Sequence, residues 1–150
     1  MNDPASQLRS AISALKRLPG SKYAGNSSFY TSKPVGPQNQ PDFINAVAEL
    51  YTRLDVFVLF DNLQKIENRQ GRDRNTGRWG PRTLDLDIIL YGDMILNTEK
   101  LIIPHKEMHK RNFVLYPLYE IAPDIEVPGL GHIEQLLNSV DTAGLSKLGL

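Results

Sequence analysis

The strongest constraint in this 150-residue sequence is the run from Leu84 to Tyr91, which reads LDLDIILY. Leucine or isoleucine stands at every second position from Leu84 to Leu90, and Asp85 and Asp87 lie between them. Because successive side chains of an extended chain point to opposite faces, one face would be apolar and the other would carry both aspartates. The run therefore predicts a β-strand that presents two carboxylates on the same side.

The two aspartates predict a cation site. In a strand, residues two apart are separated by about 7 Å along the backbone. Aspartate is disfavoured in strands and like charges on one face repel, so Asp85 and Asp87 require a compensating cation. Mg²⁺ commonly takes one or two carboxylates and completes its coordination with waters and substrate phosphates. The alternative is an exposed polar face neutralised by nearby arginines, and the spacing alone leaves both interpretations open.

An arginine-rich stretch leads directly into the aspartate pair. Residues Arg72 to Thr83 contain four arginines, two glycines, a proline and the single tryptophan, Trp79, and Arg69 stands just before them. Guanidinium groups match phosphate oxygens in paired hydrogen bonds, so the stretch suits a phosphate-binding loop. A solvated loop is the alternative, but its position beside a cation site favours a nucleotide phosphate site with metal. The glycines around Trp79 are compatible with a lid, whereas core packing is the ordinary role of a single tryptophan.

A second basic group follows Pro104. It contains His105, Lys106, His109, Lys110 and Arg111. These side chains could face a nucleotide or line an exposed turn.

The composition limits the partners that the whole surface could attract. Seventeen basic residues balance seventeen acidic ones, so no net field would draw in nucleic acid or an anionic membrane. The absence of cysteine excludes disulfides and thiolate metal sites. No apolar stretch is long enough to cross a bilayer, and the start MNDPASQLRS lacks the apolar core of a signal peptide. We expect a single domain over residues 1–150 in the cytoplasm.

Local patterns predict further elements. Phe43–Thr52 fits either a helix or a strand, and its pattern alone does not decide between them. The other predicted elements are a helix from Pro4, capped by Asp3 and ended by Pro19 and Gly20, with Leu8, Ile12 and Leu15 on one face; a strand in Ser21–Ser32; a loop over Lys33–Asp42; a helix capped by Asp55 and running to Gly71; extended pieces at Met94–Leu96 and Leu101–Ile103; a helix over Arg111–Glu120; and one more helix after Gly131.

Four blocks of the sequence resemble the hydroxymethyldihydropterin pyrophosphokinases. They are RWGPRTLDLDIILYG (residues 78–92), SSFY (27–30), GPQNQPDFINAV (36–47) and PHKEMHKRNFVLYPLYEIAPD (104–124). The blocks occur in the family's order and span nearly the whole chain. The resemblance implies an α+β fold of the ferredoxin-like type, an antiparallel sheet with helices packed on one face, in which Phe43–Thr52 is a strand. It implies transfer of pyrophosphate from ATP to a pterin, with AMP released.

The resemblance also implies roles for individual residues. Asp85 and Asp87 would hold two Mg²⁺ ions that bridge the ATP phosphates, and Arg72 and Arg82 would stabilise the transferred group. The residues implied for ATP are Gln64, Glu67, Arg74, Arg82, His105, Lys106 and Arg111. Those implied for the pterin are Ser32, Pro34, Val35, Phe43, Asn45, Trp79, Asp85 and Phe113, with Phe43 and Phe113 on either side of the ring and Trp79 closing over it. Lys33 departs from the apolar or proline character expected there. The implied partners are these small molecules, with no nucleic acid or membrane, and we expect a monomer.

One departure concerns the start of the chain. Members of this family open with a strand that ends in Gly-Ser-Asn, whereas here Met1 and Asn2 lead directly to the first helix. We expect that the first strand is absent from this chain and that the cellular protein begins upstream of Met1. A short chain would have an exposed sheet edge, weak stability and poor activity. Two rival functions remain at this point, a catalytically inactive relative and a ferredoxin-like module that binds RNA through its aromatic residues.

Overall fold

A computed structural model describes residues 4–32, 43–72 and 84–148. The described residues form four α-helices, nine short strands and a 3-10 turn at Met108–Lys110. In chain order they are α1 (Pro4–Lys16), β1 (Ser21–Asn26), β2 (Tyr30–Ser32), β3 (Phe43–Asn45), β4 (Ala48–Thr52), α2 (Val56–Arg72), β5 (Leu96–Asn97), β6 (Ile102–Ile103), α3 (Asn112–Ile121), β7 (Glu126–Val127), β8 (Gly131–His132), α4 (Ile133–Leu137) and β9 (Leu145–Lys147). The fold is therefore a mixture of helices and small sheets.

The first compact unit comprises the described residues of 1–25 and 49–88. Helix α1 packs on α2, and β1 pairs with β4. Near the ends of these strands, the hydroxyls of Ser21 and Thr52 lie 2.6 Å apart in a hydrogen bond. In α1, Leu15 is buried as the sequence predicts, while Leu8 and Ile12 are half-buried. The small residues Ala5 and Ala11 are buried as well.

Helix α2 begins and buries its apolar face as the sequence predicts. The Asp55 carboxylate accepts a hydrogen bond from the Phe57 amide at 2.9 Å, which satisfies one of the amides that a helix start leaves unpaired. The buried residues recur every three or four positions, namely Val56, Leu59, Leu63 and Ile66. This spacing places them on one side of the helix. The predicted cap and helix are confirmed.

The second compact unit comprises the described residues of 26–48 and 89–148. Its main sheet has the order β3-β2-β9, with both pairings antiparallel. Two smaller antiparallel pairs are β5 with β6 and β7 with β8. Helices α3 and α4 enclose a core in which Met108, Leu115 and Ile133 have no exposed surface. The peptide bond between Ile103 and Pro104 is cis.

The structure corrects the prediction of a strand over Leu84–Tyr91. Among the described residues, this segment belongs to none of the sheets. The backbone amide of Leu86, which a ladder would use, donates instead to the Glu67 carboxylate. The predicted alternation holds only over residues 84–88, where Leu84 and Ile88 are buried and Asp85 and Asp87 are exposed, and it is lost over residues 89–91, which are all half-buried.

Two segments predicted as continuous strands are each divided in two. The first breaks between β1 and β2, and the second breaks between β3 and β4, which resolves Phe43–Thr52 as extended chain. At the breaks, the backbone amide of Ser27 donates to the Val47 carbonyl at 2.8 Å, and the Ser27 hydroxyl accepts from the Val47 amide at 3.0 Å. One side chain therefore replaces a backbone acceptor of the ladder.

The remaining predictions have mixed outcomes. Helix α3 confirms the predicted helix near Arg111–Glu120, α4 confirms one after Gly131, and β5 with β6 confirms the extended pieces. Strand β9 was not predicted. The expected Asp3 cap and the Lys33–Asp42 loop lie outside the described residues, and the single domain over residues 1–150 stays a prediction. In the part of the chain that the structure describes, no helix combines the length and apolar character needed to span a membrane.

Candidate active site

Asp85 and Asp87 lie on a segment that is anchored by buried residues next to them in the sequence. Leu84 is 5% exposed and Ile88 is 8% exposed, so the apolar face of the segment points into the first unit. Asp85 and Asp87 are both exposed. Their intervening residue is fixed, because the Leu86 amide donates to Oε2 of Glu67 at 2.5 Å. Two exposed carboxylates therefore flank a backbone position that a third carboxylate restrains.

This donor set fits Mg²⁺. Within residues 4–32, 43–72 and 84–148, no group of three or more histidine, cysteine, aspartate or glutamate side chains could enclose a metal. A site that binds metal through protein ligands alone, such as structural zinc, requires such a group. Mg²⁺ instead takes few protein carboxylates and completes its octahedron with water and phosphate oxygens. Asp85 and Asp87 provide the hard oxygen ligands for that arrangement.

Two of the residues predicted near ATP lie on α2. Glu67 is half-buried, and its carboxylate bonds to the backbone of Leu86, the residue between the two aspartates. Gln64 lies three residues earlier and is exposed. The structure therefore brings Glu67 to the predicted metal ligands. Its contact with the backbone was not foreseen from the sequence, because nothing in the spacing of residues 67 and 86 indicates it.

Three of the residues predicted for the pterin meet across neighbouring strands. Ser32 of β2 stands directly opposite Phe43 of β3, and the Asn45 amide donates to the Ser32 hydroxyl at 3.5 Å. Ser32 is buried, whereas the Phe43 ring is 56% exposed. A large exposed aromatic ring beside polar donors and acceptors is a surface that can stack on a flat ligand. Phe113 lies at the start of α3, in the same unit.

The structure places Arg111 on Phe113. The guanidinium carbon lies 5.6 Å from the centre of the ring, within the range of a cation–π interaction. The sequence assigns Arg111 to ATP and Phe113 to the pterin, so two residues predicted to bind different substrates are direct neighbours. Arg111 is also the N-cap residue of α3, directly before the first helical residue, Asn112.

His105 is fixed by a local turn. Its Nδ1 accepts a hydrogen bond from the Glu107 amide at 3.2 Å, and its own amide donates to the Ile89 carbonyl at 2.9 Å. Since Nδ1 is an acceptor, the neutral imidazole carries its proton on Nε2. The neighbouring Lys106 is exposed. Lys110 forms an exposed ion pair with Glu107 at 3.9 Å, so the solvated alternative applies to that lysine.

Several predicted site residues cannot be placed. Pro34, Val35, Arg74, Trp79 and Arg82 lie outside the described residues, as does the side chain of Arg72. Arg69, counted above with the arginine-rich stretch, lines a groove of about 460 Å³ between α1 and α2, together with Ser10, Ser13 and Arg17. That groove contains none of the residues predicted to bind ATP, the pterin or the metal.

A polar network that the sequence did not reveal lies elsewhere in the second unit. The Glu120 carboxylate accepts hydrogen bonds from the Tyr30 hydroxyl at 2.6 Å and from the Ser28 amide and hydroxyl at 2.9 Å each. We call these three residues the Glu120 network. Glu120 is 90 residues from Tyr30 and 92 from Ser28 in the sequence, and no local pattern marks the three residues.

The exposed aspartate pair of the first unit, and separately the exposed Phe43 ring beside polar groups of the second, are features compatible with the class of phosphoryl-transfer enzymes. Comparison with known proteins identifies the family. The family model described as 7,8-dihydro-6-hydroxymethylpterin-pyrophosphokinase matches residues 1–123, and the chain belongs to this family.

Individual relatives agree with the family model. A 2-amino-4-hydroxy-6-hydroxymethyldihydropteridine pyrophosphokinase of Haemophilus influenzae is 49% identical over 148 residues, which cover 99% of this chain and 92% of the relative. The protein of the same name from Pseudomonas aeruginosa is 45% identical over 146 residues, covering 97% and 90%. That of Bacillus subtilis is 42% identical over 126 residues, covering 84% and 75%. The resemblance seen in the sequence is confirmed.

Proposed function

We propose that this chain transfers pyrophosphate from ATP to the hydroxymethyl group of 6-hydroxymethyl-7,8-dihydropterin and releases AMP, a step of tetrahydrofolate biosynthesis. The observation that carries this conclusion is the family match over residues 1–123, supported by near-full-length relatives that bear the pyrophosphokinase name. These matches favour neither an inactive relative nor an RNA-binding module.

The reaction forms one bond and breaks one. The hydroxymethyl oxygen of the pterin attacks the β-phosphorus of ATP, and the bond from that phosphorus to the oxygen of the α-phosphate breaks. AMP leaves with the electron pair, and the proton of the hydroxyl passes to solvent. Such transfers depend mainly on alignment of the reacting atoms and on neutralisation of the phosphate charges. The enzyme therefore needs binding groups and cations more than a strong base.

Asp85 and Asp87 are the proposed ligands of two Mg²⁺ ions. The support is the exposure of both side chains and the restraint of Leu86 between them by Glu67. When bound, these ions would neutralise the phosphate oxygens of ATP. Arg72 and Arg82 are the proposed partners of the transferred pyrophosphoryl group, since guanidinium forks match phosphate oxygens.

Five of the proposed ATP contacts lie among the described residues. Gln64 and Glu67 belong to the first unit, and Arg74 is assigned by resemblance. His105, Lys106 and Arg111 belong to the second unit. The Nε2 proton of His105 would suit a phosphate or ribose oxygen, and the exposed ammonium of Lys106 would suit a phosphate.

The proposed pterin contacts use shape and polarity. Phe43 and Phe113 would stack on the two faces of the ring, and Asn45 offers a donor and an acceptor to its amide-like edge. Ser32, Pro34, Val35 and Trp79 are proposed to surround the ring, with Asp85 near its hydroxymethyl end. The exposed Phe43 ring and the bond from Asn45 to Ser32 support this assignment.

The finer description of the protein is also a proposal. We infer that the sheets and helices belong to a ferredoxin-like arrangement, for which the antiparallel pairings of β2 with β3 and of β5 with β6 are partial support. We further propose that the protein works as a monomer in the cytoplasm, where ATP is available.

One assay tests the proposed function. The protein is incubated with Mg²⁺, ATP and 6-hydroxymethyl-7,8-dihydropterin, and the nucleotide products are separated by chromatography. AMP that appears only when the pterin is present, in equal amount to pterin diphosphate, is the expected result. ADP as the product, or AMP released without the pterin, would contradict the proposal. The double variant Asp85→Asn and Asp87→Asn is the negative control.

A further inference from the structure

We propose that Glu120 is a positioning residue for the pterin, because its carboxylate ties strand β2 to the end of helix α3. The inference rests on the proposed function, since it concerns how Phe43, Asn45 and Phe113 are held in place. Nothing in the sequence patterns or in the resemblance assigns a role to Glu120.

The tie is made by both carboxylate oxygens. Oε1 accepts from the Tyr30 hydroxyl at 2.6 Å, and Oε2 accepts from the Ser28 amide and the Ser28 hydroxyl, each at 2.9 Å. Hydrogen bonds to a carboxylate are shorter and stronger than those between neutral groups. One of these bonds goes to backbone, so the carboxylate fixes the path of the chain that enters β2 as well as one side chain.

The surroundings favour the ionised carboxylate. Partial desolvation tends to raise the pKa of Glu120, but hydrogen bonds from Tyr30 and Ser28 and the charge of Lys147 outweigh it, so the pKa lies below its usual range. The Lys147 ammonium lies 5.9 Å from the centre of the Tyr30 ring, on the strand opposite Tyr30. Tyr30 itself is 7% exposed. The Glu120 carboxylate and the Lys147 ammonium therefore both lie close to the buried Tyr30 side chain.

The strand side of the tie leads to the proposed pterin residues. Tyr30 stands opposite Asn45, and Ser32 stands opposite Phe43. The Asn45 amide also donates to the Ser32 hydroxyl. A shift of β2 would move β3 with it through the shared ladder. Glu120 thus controls where Phe43 and Asn45 lie relative to α3.

The helix side of the tie leads to the other aromatic residue. Phe113 lies in the first turn of α3 and Glu120 in the last, and the separation of seven positions corresponds to about 10 Å along the helix axis. Because Glu120 and Phe113 lie on the same helix, the Glu120 network sets the position of β2 against the helix that carries Phe113. The pterin is held between groups whose spacing this network fixes.

The fold does not depend on this tie alone. Leu115 of α3 is fully buried and Leu118 is 5% exposed, and both pack in the core with Met108 and Ile133. Glu120 itself has an exposed side chain. Removing its carboxylate should therefore loosen the alignment of β2 without unfolding the unit.

The test compares Glu120→Ala with Glu120→Gln, Tyr30→Phe and the matched control Glu126→Ala, which changes an exposed glutamate of the same unit. Pterin affinity is measured by calorimetry with Mg²⁺ and a non-hydrolysable ATP analogue, and KM is measured for each substrate. We expect Glu120→Ala to weaken pterin binding about tenfold, as the loss of bonds to a charged group allows, with KM for ATP changed less than about twofold. Glu120→Gln should restore part of the affinity, and Glu126→Ala should behave as the unaltered protein.

Several outcomes would overturn the inference. Unchanged pterin affinity in Glu120→Ala would do so, as would an equal rise of KM for the pterin and KM for ATP. A variant in which less protein is active, but the active protein binds the pterin normally, would also do so. If Glu120→Ala does not fold, Tyr30→Phe and Glu120→Gln decide by the same readouts. Unaltered protein that binds the pterin while the variants show no change refutes the role of Glu120 alone. Unaltered protein that neither binds the pterin nor releases AMP refutes the proposed function, and the inference with it.

Discussion

The carboxylate of Glu67 accepts a hydrogen bond from the backbone amide of Leu86, the residue that separates the two aspartates. A strand neighbour would ordinarily take that amide, and here a side chain from α2 does so. The contact links the helix to the proposed metal ligands. Glu67 therefore restrains the backbone between the two proposed metal ligands.

The first prediction concerns this contact. Glu67→Ala should raise the Mg²⁺ concentration needed for half-maximal activity by about tenfold, because an unrestrained backbone holds Asp85 and Asp87 less well in position. Glu67→Gln keeps an acceptor for the Leu86 amide and should have a smaller effect. Glu49→Ala, at an exposed glutamate of the same unit, is the control. The measurement is AMP release as a function of Mg²⁺, and identical Mg²⁺ curves for Glu67→Ala and Glu49→Ala would disprove the link.

The second prediction concerns the proposed ligands themselves. Asp85→Asn and Asp87→Asn should each lower kcat by at least about a hundredfold, since charge stabilisation of the transferred group is a dominant part of such catalysis. Both side chains are exposed, so the melting temperature should change little. Thermal unfolding and AMP release are measured on the same samples. Full turnover in either variant would remove that aspartate from the metal site.

A third prediction uses the exposed Phe43 ring. Phe43→Ala should weaken pterin binding about tenfold through loss of stacking, while unfolding changes by less than about 0.5 kcal/mol because little packing is lost. Tyr51→Ala is the matched control, as Tyr51 is 64% exposed on β4 and has no proposed role. Calorimetry with the pterin and chemical denaturation give the two quantities. Equal pterin affinity in the two variants would exclude Phe43 from the site.

The fourth prediction concerns the pH dependence of stability at Tyr30. Burial, together with the hydrogen bond and charge of Glu120, raises the pKa of Tyr30 to about 12. Since the folded pKa exceeds the unfolded value near 10, this tyrosine contributes stability that is complete below pH 10 and is lost as pH rises towards 12. The free energy of unfolding of the unaltered protein should exceed that of Tyr30→Phe by about 1 kcal/mol at pH 8. The difference should be smaller at pH 11. Denaturant unfolding at both pH values measures this, and a constant difference would refute the coupling.

The features that the sequence predicted well are those with local causes. The Asp55 cap and the buried spacing of α2 depend on neighbouring residues, so both could be predicted from the sequence. The same is true of the two faces around Asp85 and Asp87. Family resemblance was needed to assign Phe43–Thr52 to a strand. A short run that fits both the helical and the strand periodicity carries no decisive local signal.

The features that the sequence missed have distant causes. Leu84–Tyr91 pairs with no strand among the described residues, and its Leu86 amide donates instead to Glu67, 19 residues away. Strand β9 exists because β2 pairs with it across the chain. The Glu120 network joins residues 90 and 92 positions apart. A pairing partner at such separation leaves no periodic trace in the sequence.

The bridge from Ser27 to Val47 limits which residues position 27 can hold. The hydroxyl accepts the Val47 amide and donates to the Ser28 carbonyl at 2.7 Å, in a site where Ser27 is only 2% exposed. Alanine would leave the amide of the half-buried Val47 without its hydroxyl acceptor, and a larger side chain would have to fit a position that is almost fully buried. Saturation mutagenesis scored by growth without folate should therefore recover almost nothing but serine at this codon, making it a sharper marker of fold integrity than any bulky core position.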